Sequence, residues 1–415
     1  MAVITERFQA ILALVLIALL SFMAEASRHG PVEGDSGVFD VASYGAKADG
    51  ESDDAMVSSN FETHAFVKAW VAACKSSGGS AKLAIPTGTY MTGPVVFQGP
   101  CKGSMTVEVQ GTIKATTDVS QYSSPEWFSF ENIDGLMVNG GGTFDGQGAA
   151  VWKYNDCKDS SDCQLLPASI KFTWVKNAVV HEITSLNSKA FHMHVVDCDN
   201  FKAHDLTITA PGDSPNTDGM HISRSNHVSI SDSQIGTGDD CISIGQGATQ
   251  VSIQNIVCGP GHGISVGSLG KYKDEKDVSG ISVTGCTLKG TTNGVRIKTW
   301  PGSPPSQASS IAFEDITMDS VKNPIVIDQN YGSHKSRPSQ VKISNVRYTN
   351  IKGTSLSPMA VSIVCSSDVP CTGIEMTDID LQVEGKSSKS DSVSSSCSNA
   401  KITFGGKQNP PACDV

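Results

Sequence analysis

The sequence predicts an all-β chain wound as a right-handed parallel β-helix, with one helix capping its N-terminal end. A frame recurs in Asp218-Gly219-Met220-His221-Ile222, Asp240-Cys241-Ile242-Ser243-Ile244, His262-Gly263-Ile264-Ser265-Val266 and Asn293-Gly294-Val295-Arg296-Ile297. A second frame, Val228/Ile230, Val251/Ile253, Ile281/Val283, Ile311/Phe313 and Val341/Ile343, returns in step with it, about every 23 to 30 residues. From about Lys82 onward, short β-branched runs are broken by Gly, Asn, Asp and Ser, in a chain with forty glycines and 6% aromatics. Stacked coils keep two frames in register; the strands of an antiparallel sandwich or propeller have no reason to.

The elements follow in order. Residues 10–23 are an apolar run with Arg7 before it and Ala24-Glu25-Ala26 after it, the pattern of a secretory signal peptide cleaved after Ala26. The run is short for a membrane span and no second one follows, so the mature chain is expected to be exported, with no membrane partner. Residues 27–415 then read as one β-helix domain. A polar lead, 27–37, precedes 39–46, which alternates like a strand, and 49–54, which is rich in turn residues. Residues 54–64 look like a surface insertion. Phe66, Trp70 and Ala73 fall at helical spacing over 64–74, and a helix there would cover the open end of the strand stack. The Ser/Lys-rich stretch 386–398 reads as a loop.

Twelve cysteines, all beyond the leader, suit an oxidising compartment and predict several disulfides. Counting does not fix the connectivity, but Cys157–Cys163, Cys365–Cys371, Cys397–Cys413 and Cys241–Cys258 are natural local pairs. No Cys-x-x-Cys is present, which argues against structural zinc. The absence of any Asn-x-Ser/Thr site predicts no N-glycosylation. A formal charge of −11 excludes nucleic acid as the expected partner, although a few cations gathered in one groove would still hold a polyanion.

The first frame carries the chemistry. Equivalent positions on stacked coils lie about 4.8 Å apart, so Asp218, Asp240, His262 and Asn293 share one column, with Asp239 beside it. Carboxylates so close repel, and at least one should hold a proton near neutral pH; that is what a general acid working beside a general base requires. Alternation sends Met220, Ile222, Ile242, Ile244, Val295 and Ile297 inward and leaves His221, Arg296 and Lys298 on the outer face. Two cations then border an acidic cluster, an arrangement suited to holding a substrate carboxylate beside a bond to be hydrolysed. Any one of these residues alone would read as a turn or a solvated face; their shared register supports the functional reading.

Asn216-Thr217-Asp218, Gly238-Asp239-Asp240-Cys241, Gly261-His262-Gly263-Ile264-Ser265-Val266-Gly267-Ser268 and Arg296-Ile297-Lys298 resemble the four signature motifs of the polygalacturonases, glycoside hydrolase family 28. The 40–54 stretch is similar to the opening segment of the wider pectin-lyase-like fold. Gly142-Thr143-Phe144-Asp145-Gly146-Gln147-Gly148, Tyr154-Asn155-Asp156-Cys157 and Gly405-Gly406-Lys407-Gln408-Asn409-Pro410-Pro411 are similar to the plant pollen-type exopolygalacturonases. The resemblance implies Asp239 as general acid, Asp218 and Asp240 activating water, and His262 tuning the acid. It also implies Arg296 and Lys298, with Asn216 and Tyr331 beside them, as substrate-binding residues. Inversion would need acid and base roughly 6.5–9.5 Å apart. Further implications are a secreted, cell-wall enzyme acting as a monomer on pectin or oligogalacturonate, with no cofactor and no resident metal, and a wall-loosening role in pollen with possible allergenicity. Pollen-type relatives carry a cysteine after the equivalent of Tyr331 and another shortly beyond; both are missing here, which leaves the loop at Tyr331 less fixed.

Hydrolysis of α-1,4-galacturonosyl linkages from the non-reducing end is thus the expected activity, with the 152–167 insertion as the wall that closes the cleft. The alternatives are an endo-acting enzyme, which would give a spread of oligomers; a pectate lyase using the carboxylates to hold Ca²⁺, which would give unsaturated, chelator-sensitive products; and a non-catalytic wall-binding protein.

Overall fold

The core is a column of identical inward positions repeated coil after coil. Met220 pairs with Ile242, Ile242 with Ile264, and Ile264 with Val295, while Ile222, Ile244, Val266 and Ile297 align beside them; all eight side chains are buried. Such rows turn β-branched side chains into continuous apolar stacks, with each strand's backbone groups satisfied by the coils on either side. The computed structural model describes residues 37–53, 65–155, 166–332, 337–385 and 392–414, and residues Phe39–Val415 form one compact unit.

Among the described residues the strands form an 11-stranded and a 22-stranded sheet. The 11-stranded sheet, parallel throughout, runs from Val95–Gln98 to Ser394–Ser398. Six consecutive strands of it matter most: β1 (Met193–Val196), β2 (Met220–Ser223), β3 (Ile242–Ile244), β4 (Ile264–Leu269), β5 (Asn293–Thr299) and β6 (Asn323–Asp328). Every coil crosses back to the next parallel strand, so the winding is a right-handed parallel β-helix. The corners repeat as well. Asp205, Asp232, Asn255, Gly285, Asp315, Asn350 and Asp378 all adopt left-handed φ values of 49° to 67° at one edge of the stack. The regular return of Asn, Asp and Gly in the sequence therefore marks corners that other residues occupy only under strain.

Helix α1 (Ala65–Lys75) lies over the N-terminal coils. Trp70 stacks on Phe97 at 4.5 Å and 5°, its indole N–H donates to the Gln98 carbonyl at 3.0 Å, and Phe66 meets Tyr90 and Phe128 edge-on. A Cys74–Cys101 disulfide, not anticipated from spacing, ties the helix to the coil beneath. Trp70→Ala is expected to lower the unfolding free energy by about 3–5 kcal/mol, measured by urea denaturation; a loss near zero would mean the helix is not a structural cap.

Several expectations change. The first four members of the second frame pair as expected, but Ile311 and Phe313 align with Val346 and Tyr348, and Val341 and Ile343 pair instead with Ser306 and Ala308. Apolar alternation runs along all of Val341–Ser355, so pattern alone does not fix which pair faces which. Of the strand expected over 39–46, only the first residues, within Val38–Asp40, form one; Asp40 caps a 3-10 turn over Val41–Tyr44, and the turn-rich Asp49–Asp53 pairs as a strand as well. Ser394–Ser398, expected in a loop, adds a strand beside Met359–Val364. Disulfides Cys241–Cys258, Cys365–Cys371 and Cys397–Cys413 are present, while Cys198 and Cys286 are buried thiols. The signal peptide, the 54–64 insertion and Cys157–Cys163 lie outside the described residues, as do most of the 152–167 insertion and part of 386–398.

Candidate active site

Two turns build the acidic cluster. In the first, Ser214 and Thr217 share a 2.6 Å hydroxyl contact, and Thr217 Oγ1 accepts the Gly238 N–H at 3.0 Å, which fastens the turn before β2 to the turn before β3. Gly238 is required there because any Cβ would collide with the Ser214 backbone. In the second turn, the Asp240 N–H donates to Asp239 Oδ1 at 2.8 Å, and His262 Nδ1 lies 2.9 Å from the same oxygen. The carboxyl of Asp239 is thereby held through one oxygen, and its other oxygen is not engaged by either group.

The three carboxyls differ in setting. The Asp240 side chain is only 1% exposed; its Oδ1 accepts from Arg296 Nη2 and Ser265 Oγ, both at 2.8 Å, and its Oδ2 from Lys298 Nζ at 2.7 Å. Burial works against its charge, but Lys298 and then Arg296 outweigh it and hold Asp240 below the usual carboxylate range. Lys298, itself 7% exposed, is raised in turn: burial opposes its charge and Asp240 more than compensates. Asp218 goes the other way. Burial, then the charges of Asp239 and Asp240, raise it well above its ordinary value. Asp239, with 21% of its side chain exposed, is the most accessible of the three.

The expected column is therefore present in the backbone but not in the side chains. His262 reaches Asp239, not Asp240, and Asn293 turns to Asn323. Arg296 and Lys298, expected to be free for a substrate carboxylate, are both drawn onto Asp240; they sit on the outer face as predicted, but largely buried by that pairing. Tyr331 lies over both cations, 5.8 Å from the Arg296 guanidinium and 5.1 Å from Lys298 Nζ, with Trp300 edge-on at 5.6 Å. Asn216 takes a left-handed turn (φ 53°), and its Oδ1 accepts from Asn155 Nδ2 at 3.1 Å, which brings the start of the 152–167 insertion to the cluster.

The sequence motifs do not include Ser243 and Ser265 as site residues, although the repeated frame contains the signal: His221, Ser243, Ser265 and Arg296 occupy one outward row. Ser265 joins Asp240 to Arg296, whose Nε donates to Ser265 Oγ at 3.1 Å. Ser243 hydrogen-bonds Asp218 and lies 2.7 Å from His221 Nδ1, with His221 lowered to about 4 by burial and Lys298. Asp218 is thus approached by a neutral imidazole through a hydroxyl.

Among the described residues, Asp239, Asp240 and His262 bring three possible metal-ligand atoms within 4.8 Å of one another. Both Asp240 oxygens already face buried cations, so a divalent ion there would have to displace Lys298 and Arg296, and the donor set favours proton transfer over Ca²⁺ binding.

The settings of Asp218 and Asp240 give opposite pH behaviour. Because the folded-state pKa of Asp218 lies above its unfolded value of about 3.8, the unfolded chain binds fewer protons between the two, and stability falls as pH rises through the folded pKa. Asp218→Asn is expected to remove that fall and leave the protein more heat-resistant than the parent at neutral pH. Thermal unfolding from acid to neutral pH checks it, and parallel profiles would contradict a raised Asp218.

A family model described as glycosyl hydrolases family 28 matches residues 74–405. A protein of Arabidopsis thaliana named exopolygalacturonase clone GBGE184 is 49% identical over 386 residues, 92% of this chain and 89% of that protein. The exopolygalacturonase of Platanus acerifolia is 46% identical over 384 residues, 91% of this chain and 98% of its own. Among solved structures, the endo-xylogalacturonan hydrolase from Aspergillus tubingensis superposes with a TM-score of 0.74 at 24% identity, over 89% of this chain and 100% of that one, a likeness of fold.

Proposed function

Because the chain belongs to glycosyl hydrolase family 28, we propose that it is an exopolygalacturonase: it hydrolyses α-1,4-galacturonosyl linkages of de-esterified pectin from the non-reducing end, with inversion. The observation that carries the chemistry is the contrast between Asp240, ionised between Lys298 and Arg296, and Asp239, an accessible carboxyl with one oxygen uncommitted. The exo mode is supported by the names of the plant relatives.

In this reading Asp239 is the general acid. Its Oδ1 is occupied by the Asp240 N–H and His262, so Oδ2 carries the proton delivered to the glycosidic oxygen. Asp240 accepts a proton from the attacking water, and Asp218, on the adjoining coil, orients that water. A galacturonate carboxylate docking on Arg296 and Lys298 beside Tyr331 would compete for the two cations that hold Asp240. Losing part of their attraction raises the basicity of Asp240 as substrate binds. Substrate binding and base activation are then one event. Asn216, with Asn155 on it, borders the cleft on the side of the terminal sugar. The leader directs the protein out of the cell to its wall substrate, where it acts as a monomer.

A proton NMR time course on polygalacturonate tests this. Early release of β-configured monomer alone is the expected result. A spread of saturated oligomers would make the enzyme endo-acting, unsaturated ends would make it a lyase, and no product on several pectins would return a binding protein.

A further inference from the structure

We propose that Lys271, on the rim formed by Trp300 and Tyr331, is a carboxylate subsite for a galacturonate of the departing chain, beyond the pair of sugars flanking the cleaved bond. This rests on the function proposed above. A continuous set of contacts leads from the cluster to this residue. Lys298 Nζ lies 5.1 Å from the centre of the Tyr331 ring, Tyr331 meets Trp300 edge-on at 5.6 Å, and Lys271 Nζ sits 5.5 Å from the Trp300 ring. The Trp300 N–H donates to the Leu269 carbonyl at 2.8 Å, which sets the two loops one coil apart.

The turn that carries Lys271 is built on one carboxylate. The carboxylate of Glu275 accepts the backbone N–H groups of Gly270, Lys271 and Tyr272 at 2.6, 2.9 and 2.9 Å, closing the turn that carries it. Lys271 is exposed and, among the described residues, pairs with no carboxylate, its amine resting instead on the rings of Trp300 and Tyr272. The two cations inside the cluster are both committed to Asp240, and the chain as a whole carries −11. A polyanion approaching this face therefore meets Lys271 as an uncommitted positive charge on an aromatic floor. The direction agrees with exo action. The opposite side of the cluster is flanked by Asn155 on Asn216 and by Trp152, whose indole donates to the Ser188 carbonyl at 3.0 Å. The long part of the substrate then leaves over Tyr331, Trp300 and Lys271.

The test measures equilibrium binding of digalacturonate and tetragalacturonate by calorimetry in an Asp239→Asn background, with and without Lys271→Gln. Lys271→Gln is expected to weaken tetragalacturonate about three- to fivefold, the scale of one exposed ion pair, and to leave digalacturonate unchanged. Lys271→Arg should restore the longer ligand, and high salt should erase the difference. Equal weakening of both ligands, or of neither, would overturn the subsite. The parent enzyme assayed beside them separates the two ideas: hydrolysis without Lys271 dependence defeats the subsite alone, while Lys271-dependent binding without hydrolysis defeats the activity alone.

Discussion

Asp239→Asn is expected to lower kcat on polygalacturonate by about a hundred- to ten-thousand-fold, the range supplied by a positioned general acid, with little change in stability. The amide oxygen of asparagine keeps the acceptor position used by the Asp240 N–H and His262, but its nitrogen has no acidic proton to give the glycosidic oxygen. Folding should not suffer, because the side chain is partly exposed and the amide matches the carboxyl in shape. A structural explanation for lost activity is excluded by the leaving group. An aryl galacturonide whose phenolate departs without protonation should be cleaved by the variant with a far smaller deficit than the polymer. Activity on polygalacturonate within tenfold of the parent, or an equal deficit on both substrates, would remove Asp239 from the acid role.

The strands of the 11-stranded sheet were legible because each buried pair in the first frame is followed, one coil later, by the same pair. The repetition fixed the register from Met220 to Ile297. The second frame failed at its last member for the opposite reason: within the long strand Val341–Ser355 both Val341/Ile343 and Val346/Tyr348 are buried, and a periodic pattern offers more than one fit. The capping helix was readable from Phe66, Trp70 and Ala73, but its Cys74–Cys101 tie was not, since 27 residues separate the two cysteines. At the site, the sequence placed both cations on the correct face. It could not say that their long side chains fold back onto Asp240, because strand alternation gives the side of the sheet a residue occupies and not the reach of its terminal atoms. The same limit hid Glu275, whose role is in backbone N–H groups that no motif announces.

That fold-back makes the loss of Asp240 costly in the folded state. Asp240→Asn leaves Lys298 and Arg296, 7% and 11% exposed, without the charge that justifies their burial, and breaking a buried pair from one side is destabilising by about 3–5 kcal/mol. Asp239→Asn, removing a partly exposed carboxyl that strands no buried cation, has no such consequence, so the two neighbouring substitutions should separate stability from catalysis. The pH dependence identifies the cause. Because the folded-state pKa of Asp240 lies below its unfolded value of about 3.8, its contribution is fully present above that value and is lost as pH falls through the folded pKa. The stability gap between parent and Asp240→Asn, followed by urea unfolding across the acid range, should therefore be widest near neutrality and narrow on acidification. Asp240→Asn combined with Lys298→Met should recover part of the loss, since the second change removes a stranded charge while filling the same space. A gap that stayed constant with pH, or a double variant less stable than the single one, would mean that Asp240 holds the site by shape and not by charge.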